Sequence, residues 1–373
     1  GITNLGWNFL KDLAGKDLPY EYHFCNWKNP SHQGRKVFLY EKKSAFMGAM
    51  TALSSAGGKP LIPSDSQTFL KRIQRMICDQ LGWDLEDFPI VDSDTAETQS
   101  IKLLTAKTDS ELHRLKPKAL GFTGSWQSGI SFGNTPEDNH FDAVFQYGSH
   151  IPTHILKQFP ERYRIPAPIH AYIKEFAAPA DDLNNSCLPE IWLKNCHRNQ
   201  NDRALLLGLA GVMEGDLKLS ESLARLEDPT DPEYGFWLRH LANFRARANW
   251  GKANLRSEMV RIWEGKGYQI EIVAGQDKSA AADYRITGEI IDNELADRIA
   301  GLDCSGMTLS KSLETLGSNS SCHEDRLKAR KFLLQDEFPE LKPETDKPDF
   351  ILKTIVGDGP RLLSAVRLEW ASK

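Results

Sequence analysis

The chain has 373 residues, of which 40% are hydrophobic and 26% charged, and its formal net charge is -5. This composition excludes a disordered chain and a coiled coil, and it leaves room for two globular domains. No apolar run approaches the ~20 residues that cross a bilayer, and no charged segment followed by an apolar one opens the chain. We therefore expect a cytoplasmic protein with no membrane partner.

Short apolar runs alternate with helical patterns between residues 36 and 178, which is typical of βα units around a parallel sheet. Residues 1–35 precede them as a linker or N-terminal extension. A helix is predicted over 66–81, because Phe69, Ile73, Ile77 and Leu81 share one helical face, and Gly82 ends it. The strands are predicted at 37–40, 61–62, 90–91, 119–122, 143–147 and 171–173.

The composition changes after residues 177–182 (AAPADD), where small and polar residues mark a boundary. We predict a mainly helical accessory domain over 179–373, with one strand at 268–273. Ser321 is predicted to cap the last helix together with Glu324, because a hydroxyl and an acid at that spacing form a capping box. The helices are predicted at 200–213, 232–249, 252–266, 279–300, 308–316 and 322–336.

A polar loop at 123–132 (TGSWQSGISF) connects two predicted strands and is the most informative segment of the chain. Loops at the carboxyl ends of parallel strands are where nucleotides and nucleic acids bind. Hydroxyls and backbone amides there contact phosphates without reading the base sequence. The alternative is an ordinary polar loop that caps a helix.

A second motif, Gln158-x-x-x-Arg162-x-Arg164, precedes the strand predicted at 171–173. Arginine suits phosphate because its planar group matches phosphate oxygens and stays charged. Strand alternation would place both arginines on one face. The alternative is a pair of solvated charges.

These two segments resemble motifs V and VI of the second motor domain of superfamily 2 helicases, and residues 58–66 (GKPLIPSDS) resemble motif IV. The likeness covers roughly residues 36–176 and is to replication helicases of the herpesvirus origin-binding type and of cyanobacterial plasmids. It implies a RecA-like α/β fold and an ATP hydrolase that binds single-stranded or forked DNA. The implied residues are Arg162, Arg164 and Gln158 for catalysis, Gly129 and Ser131 for the nucleotide, and Ser64, Thr123, Ser125, Gln127 and Ser128 for nucleic acid.

The chain departs from the helicase pattern in two places. The family carries a glycine before the first motif VI arginine, where this chain has Pro160-Glu161. No phosphate-binding G-x-x-x-x-G-K-[ST] occurs, and in the nearest glycine-lysine pair, Gly57-Gly58-Lys59, Pro60 stands where the Mg²⁺-binding hydroxyl would follow. The resemblance then implies that ATP and Mg²⁺ are bound mainly by an upstream motor domain, and that the chain is a fragment. The alternatives are a non-catalytic nucleic-acid-binding or scaffold module and a standalone nucleotide-binding enzyme.

The segment 236–256 (FWLRHLANFRARANWGKANLR) carries basic residues interleaved with aromatic ones and contains no acid. Aromatic rings beside cations suit stacking on unpaired bases together with phosphate neutralisation. We predict nucleic-acid contacts by Arg245, Arg247, Trp250 and Lys252, with Trp250 partly exposed and Trp237 buried. A solvated helix face is the alternative.

No metal site is predicted from spacing along the chain. The six cysteines include no C-x-x-C pair, and Cys187, Cys196 and His197 are only a weak zinc alternative. His140 is expected to orient a loop. The histidines without a consistent metal-ligand spacing are His113, His140, His154, His170 and His197.

Overall fold

A seven-stranded, all-parallel sheet forms the centre of the fold. The computed structural model describes residues 33–96, 98–126, 130–178, 185–195, 232–317 and 322–356, with only the backbone described over 232–238. The strand order is β3-β4-β2-β5-β6-β1-β7. The strands are β1 (Lys36–Tyr40), β2 (Pro60–Pro63), β3 (Ile90–Val91), β4 (Leu120–Phe122), β5 (Ala143–Gly148), β6 (Ile169–Ile173) and β7 (Gln269–Val273). The six strands predicted before residue 178 are confirmed, as is the later one.

Strand β2 lies between β4 and β5, with Leu61 opposite Leu120 on one side and Val144 on the other. All residues of these three strands are buried. That burial explains their continuous apolar sequences, since a parallel strand covered on both faces has no solvent side. The carboxyl ends of β2, β3 and β4 bring Ser64, Asp92 and Thr123 to one edge of the sheet.

Four helices lie between β1 and β4: α1 (Lys43–Ser55), α2 (Gln67–Leu81), α3 (Gln99–Ala106) and α4 (Thr108–Leu115). The prediction for α2 is confirmed, because the Ser66 side chain accepts a hydrogen bond from the Phe69 amide and Gly82 ends the helix at φ 64°. After β3, Asp92 Oδ1 accepts hydrogen bonds from the amides of Asp94 and Thr95. These bonds form a turn, and α3 begins only at Gln99.

The later helices are α5 (Thr153–Leu156), α6 (Pro232–Ala253), α7 (Leu255–Gly265), α8 (Lys278–Ala300), α9 (Leu309–Gly317), α10 (His323–Glu337) and α11 (Pro348–Thr354). Five helices predicted after residue 231 are confirmed, whereas the one predicted at 200–213 lies outside the described residues. The predicted Ser321 cap is corrected, because Cys322 caps α10 by accepting a hydrogen bond from the Asp325 amide at its Sγ. Ser321 itself lies outside the described residues.

The described residues form two compact units, one drawn from the described parts of 33–39, 147–161 and 173–271 and the other from those of 40–146, 162–172 and 272–356. The strand expected in the accessory domain is β7, an edge strand of the sheet. The sheet therefore continues beyond the boundary expected at 178/179, because strand pairing joins segments that are distant in sequence. Among the helices of the described residues, none combines the length and apolar character needed to cross a membrane.

Candidate functional site

The polar loop after β4 is held by a buried tryptophan. Trp126 is 1% exposed, and its Nε1 donates to Thr105 Oγ1 at 3.1 Å. Thr123 is also buried, and its hydroxyl accepts a hydrogen bond from the Ser125 amide at 3.3 Å. Ser125 is exposed and Ser131 half-buried, so these two hydroxyl residues are accessible from solvent. The predicted contact residues Gln127, Ser128 and Gly129 lie outside the described residues.

Ser64 stands directly after β2 and is fully buried. Its hydroxyl accepts a hydrogen bond from the Ser66 amide at 3.0 Å and donates to the Ser66 carbonyl at 3.2 Å. The Ser64 amide donates to the carbonyl of Phe122 at 2.9 Å. The Ser64 side chain therefore stabilises the turn into α2, and a contact with nucleic acid stays a prediction.

Folding brings the two helicase-like segments together at Phe132 and Tyr163, which form an isolated parallel bridge. The Phe132 amide donates to the Arg162 carbonyl at 3.0 Å, and the Arg164 amide donates to the Phe132 carbonyl at 2.9 Å. The two rings lie 5.4 Å apart between centroids. We call this contact the motif junction.

A glycine is required beside the motif junction. Gly133 has a φ of 69°, which side chains rarely adopt, and a Cβ there would lie 2.7 Å from Cε2 of Tyr163. The Gly133 amide donates to Asp109 Oδ1 at 2.8 Å. The close approach of backbone to ring therefore fixes the end of the polar loop against the Arg162–Arg164 segment.

The motif VI-like arginines do not lie in a regular strand. Residues Pro160–Arg162 form a 3₁₀ turn, and β6 begins only at Ile169, so strand alternation does not govern the two side chains. Arg162 is half-buried, and burial lowers the pKa of its guanidinium below the usual value, whereas Arg164 is exposed. Gln158 is exposed, and its Nε2 donates to the His154 carbonyl at 3.0 Å.

A cavity of about 630 Å³ lies in the first unit, among α5, α6 and α7. We call it the basic cavity. The Arg247 guanidinium lies over the Trp250 ring, 4.5 Å from its centroid. Arg247 also forms an ion pair with Glu258, which is buried and accepts a hydrogen bond from Thr153 Oγ1 at 2.6 Å. Glu258 thus fixes the position of Arg247 beside the aromatic ring.

The walls of the basic cavity carry more positive than negative charge. Lys157, Arg247 and Arg261 face it together with one carboxylate, that of Glu258. His154 also lines the cavity, and burial, then nearby Lys157, lowers the pKa of its imidazole, which favours the neutral ring. The cavity therefore presents a net positive wall next to an aromatic surface.

Only part of the basic segment 236–256 lines the basic cavity. Arg247 and Trp250 line the basic cavity, and Trp250 is half-buried as predicted. Arg245 and Lys252 are not among its lining residues, although they lie on the same helix. The Trp237 side chain lies outside the described residues. Sequence reasoning missed Glu258, which lies two residues past the acid-free segment and carries no signal of burial.

A second group that sequence reasoning missed consists of His113, Asp138 and His140, whose side chains come together in the second unit. His113 is on α4, whereas the other two follow the polar loop. The only signal in the sequence is the close spacing of Asp138 and His140. Cys187 of the alternative zinc set lines the basic cavity, while Cys196 and His197 lie outside the described residues.

Comparison of the chain with protein-family models, curated proteins and solved structures finds no match in any of the three.

Proposed function

We propose that this chain is the C-terminal part of a cytoplasmic, ATP-dependent superfamily 2 DNA helicase that acts in replication initiation. The observation that carries the proposal is the Arg247 guanidinium stacked on Trp250 in the basic cavity. The arrangement of the sheet is consistent with it, because the motif V-like loop follows β4 and the motif VI-like segment follows β5.

The basic cavity supplies the two interactions that single-stranded nucleic acid needs. An aromatic face stacks on a base of any sequence, and cations neutralise the backbone phosphates. Lys157 and Arg261 supply charge at the cavity wall, while Arg247 is oriented by Glu258. Binding of this kind is independent of sequence, as a translocating motor requires.

The nucleotide would be shared with an upstream motor domain in this proposal. Within the described residues no glycine-rich loop follows a strand with the phosphate-binding pattern, so Gly129, Ser131 and the motif VI-like arginines would complete a site whose ATP and Mg²⁺ are held mainly by that other domain. Arg162 or Arg164 would stabilise charge on the γ-phosphate, with Gln158 beside them.

A non-catalytic nucleic-acid-binding module is the second candidate, and one observation favours it. Glu161 lies where the helicase family carries glycine, and its carboxylate is paired with Lys266. Burial lowers the pKa of Lys266 to about 8. The ion pair with Lys266 therefore holds the 3₁₀ turn Pro160–Arg162 in place at Glu161, where the helicase family has a glycine.

Fluorescence anisotropy with a labelled single-stranded oligonucleotide at several salt concentrations tests the binding role. Lys157→Gln and Arg261→Gln should each flatten the salt dependence by roughly 0.7 log units per lost phosphate contact. Trp250→Ala should weaken binding by about 1 to 3 kcal/mol if the ring stacks on a base. Both effects should be similar for unrelated DNA sequences.

Arg239→Gln is the matched control, since Arg239 is exposed on the same helix, lies outside the cavity lining and is not among the predicted nucleic-acid contacts. It should leave the affinity and salt slope near those of the unmodified protein. If Arg239→Gln lowers affinity as much as Lys157→Gln does, the whole helix face binds and the cavity has no special role. If no variant changes binding, the proposal is wrong. Thermal melting of each variant separates lost contacts from lost folding.

A further inference from the structure

Two imidazoles and one carboxylate meet beside the motif junction. His113 lies near the end of α4, Asp138 ends the 3₁₀ turn Pro136–Asp138, and His140 follows two residues later. One ligand atom from each of the three side chains lies within 4.8 Å of the others. Nε2 of His113 is 3.0 Å from Oδ1 of Asp138, and the two imidazole rings meet edge to face at 4.5 Å.

The Asp138 carboxylate is oriented before any ligand arrives. Its Oδ2 accepts hydrogen bonds from the Thr135 amide at 3.2 Å and from the Thr135 hydroxyl at 2.9 Å. Its Oδ1 remains directed toward His113. Oδ2 of Asp138 thus accepts hydrogen bonds from Thr135, whereas Oδ1 faces His113 in the cluster.

His140 offers one ring nitrogen to this cluster. Its side chain is 9% exposed, and its Nε2 is shielded from solvent without a well-aligned hydrogen bond. Oδ1 of Asp109 lies 3.4 Å from Nε2 and can accept a proton carried there. A proton on Nε2 leaves the lone pair of Nδ1 available to a ligand.

The spacing of these atoms agrees with metal coordination. Zinc bonds to nitrogen and oxygen of about 2.0 to 2.2 Å in a tetrahedron place neighbouring ligand atoms about 3.3 Å apart. The separation of His113 Nε2 and Asp138 Oδ1, 3.0 Å, lies close to that distance. Oδ1 of Asp109 lies 3.4 Å from Nε2 of His140, so an ion bound at Nδ1 of His140 would have this carboxylate behind the coordinating imidazole, an arrangement that commonly supports metal binding.

We propose that His113, Asp138 and His140 bind a divalent transition-metal ion, with Zn²⁺ as the reference ion. Two imidazoles and one carboxylate suit zinc and its first-row neighbours, whereas magnesium and calcium prefer oxygen ligands alone. The ion fastens α4 to the loop that carries Gly133. That loop packs on Tyr163, so metal binding stabilises the motif junction whether or not the chain belongs to a helicase.

Isothermal titration of the chelator-treated full chain with ZnCl₂ tests this site. Binding of one ion is expected, and His113→Ala/His140→Ala should abolish it. Asp109→Asn should weaken it by about 10- to 100-fold, the usual effect of losing a carboxylate behind a ligand. The matched control is His323→Ala, because His323 pairs with Asp94 at 3.2 Å but belongs to no three-ligand group within the part of the chain that the structure describes. The control should bind zinc as the unmodified chain does.

Two further readouts guard against loss of folding and against cysteine sites. Circular dichroism should show the double variant to be folded, and Zn²⁺ should raise the melting temperature of the unmodified chain only. Cobalt substitution should give a spectrum without thiolate charge transfer, because the proposed ligands contain no sulfur. Unchanged zinc binding in the folded double variant, thiolate charge transfer in the cobalt form, or no binding by the unmodified chain would each overturn the proposal.

Discussion

The ring of Tyr163 packs at a tilt of 36° against that of Phe132, while the backbones of the two residues pair as a parallel bridge. The Tyr163 hydroxyl extends this contact, because it donates to Asn139 Oδ1 at 2.8 Å and accepts from the Phe141 amide at 3.1 Å. One buried side chain thus connects the polar loop, the segment before β5 and the motif VI-like arginines.

Tyr163→Phe should destabilise the protein by about 1 to 3 kcal/mol, because the buried Phe141 amide loses its hydrogen-bond acceptor. Urea denaturation measures the change in the free energy of unfolding. Asn139→Ala is the comparison variant and should lower the free energy of unfolding by less. The Tyr163 hydroxyl then loses its Asn139 acceptor, but it can still donate to the Phe141 carbonyl, which lies 3.2 Å away. Equal costs for the two variants would show that the Phe141 amide does not depend on Tyr163.

Arg247→Gln should destabilise the protein by about 1 to 3 kcal/mol, because it leaves the buried Glu258 carboxylate with only the more distant Arg261, 3.8 Å away, and the Thr153 hydroxyl. Adding Glu258→Gln should recover most of that loss, since the uncompensated charge is then removed. Thermal or urea unfolding of both single variants and the double variant forms the test. If the double variant loses as much free energy of unfolding as the two single variants lose together, Arg247 and Glu258 do not stabilise each other.

Acid should lower the free energy of unfolding through His170. Burial lowers the pKa of this imidazole from 6.5 to about 4. A lowered pKa in the folded state means that the stability is present above pH 6.5 and is lost as the pH falls toward 4. Between about pH 7.5 and about pH 5 the loss from this group should be about 2 kcal/mol.

His170→Gln separates His170 from the other titrating groups, because glutamine does not ionise but can still accept the Tyr40 hydroxyl hydrogen, which lies 2.8 Å from Nδ1 of His170. Urea denaturation across the pH range should show a shallower acid dependence in this variant. An identical pH profile in both proteins would assign the acid sensitivity to other groups.

Arg162→Ala and Arg164→Ala test the helicase proposal in a protein that also contains the upstream motor domain. Loss of the arginine that stabilises the γ-phosphate should lower kcat for DNA-stimulated ATP hydrolysis by on the order of 10³. DNA binding by each variant serves as the control and should be retained. If both variants hydrolyse ATP at the unmodified rate, neither arginine takes part in hydrolysis and the motif VI-like segment has no role in the mechanism.

Local and periodic features could be read from the sequence. The strands ending at Val91 and Phe122 were identifiable because buried parallel strands are short, continuous apolar runs. Helix α2 was identifiable because Ser66 and Gly82 bound a regular apolar face. Both signals depend on neighbouring residues alone, so no knowledge of the rest of the fold was needed.

Contacts between distant residues were decided by the tertiary structure. Strand β7 was recognisable as a strand, but its place at the sheet edge depends on pairing across more than two hundred residues of sequence. Glu258 looked like an ordinary surface acid until folding buried it against Arg247, and His113 had no metal-ligand spacing until α4 met the loop carrying Asp138 and His140. Periodicity records which side of an element is apolar, whereas the partner that covers each side chain is set only when the elements pack.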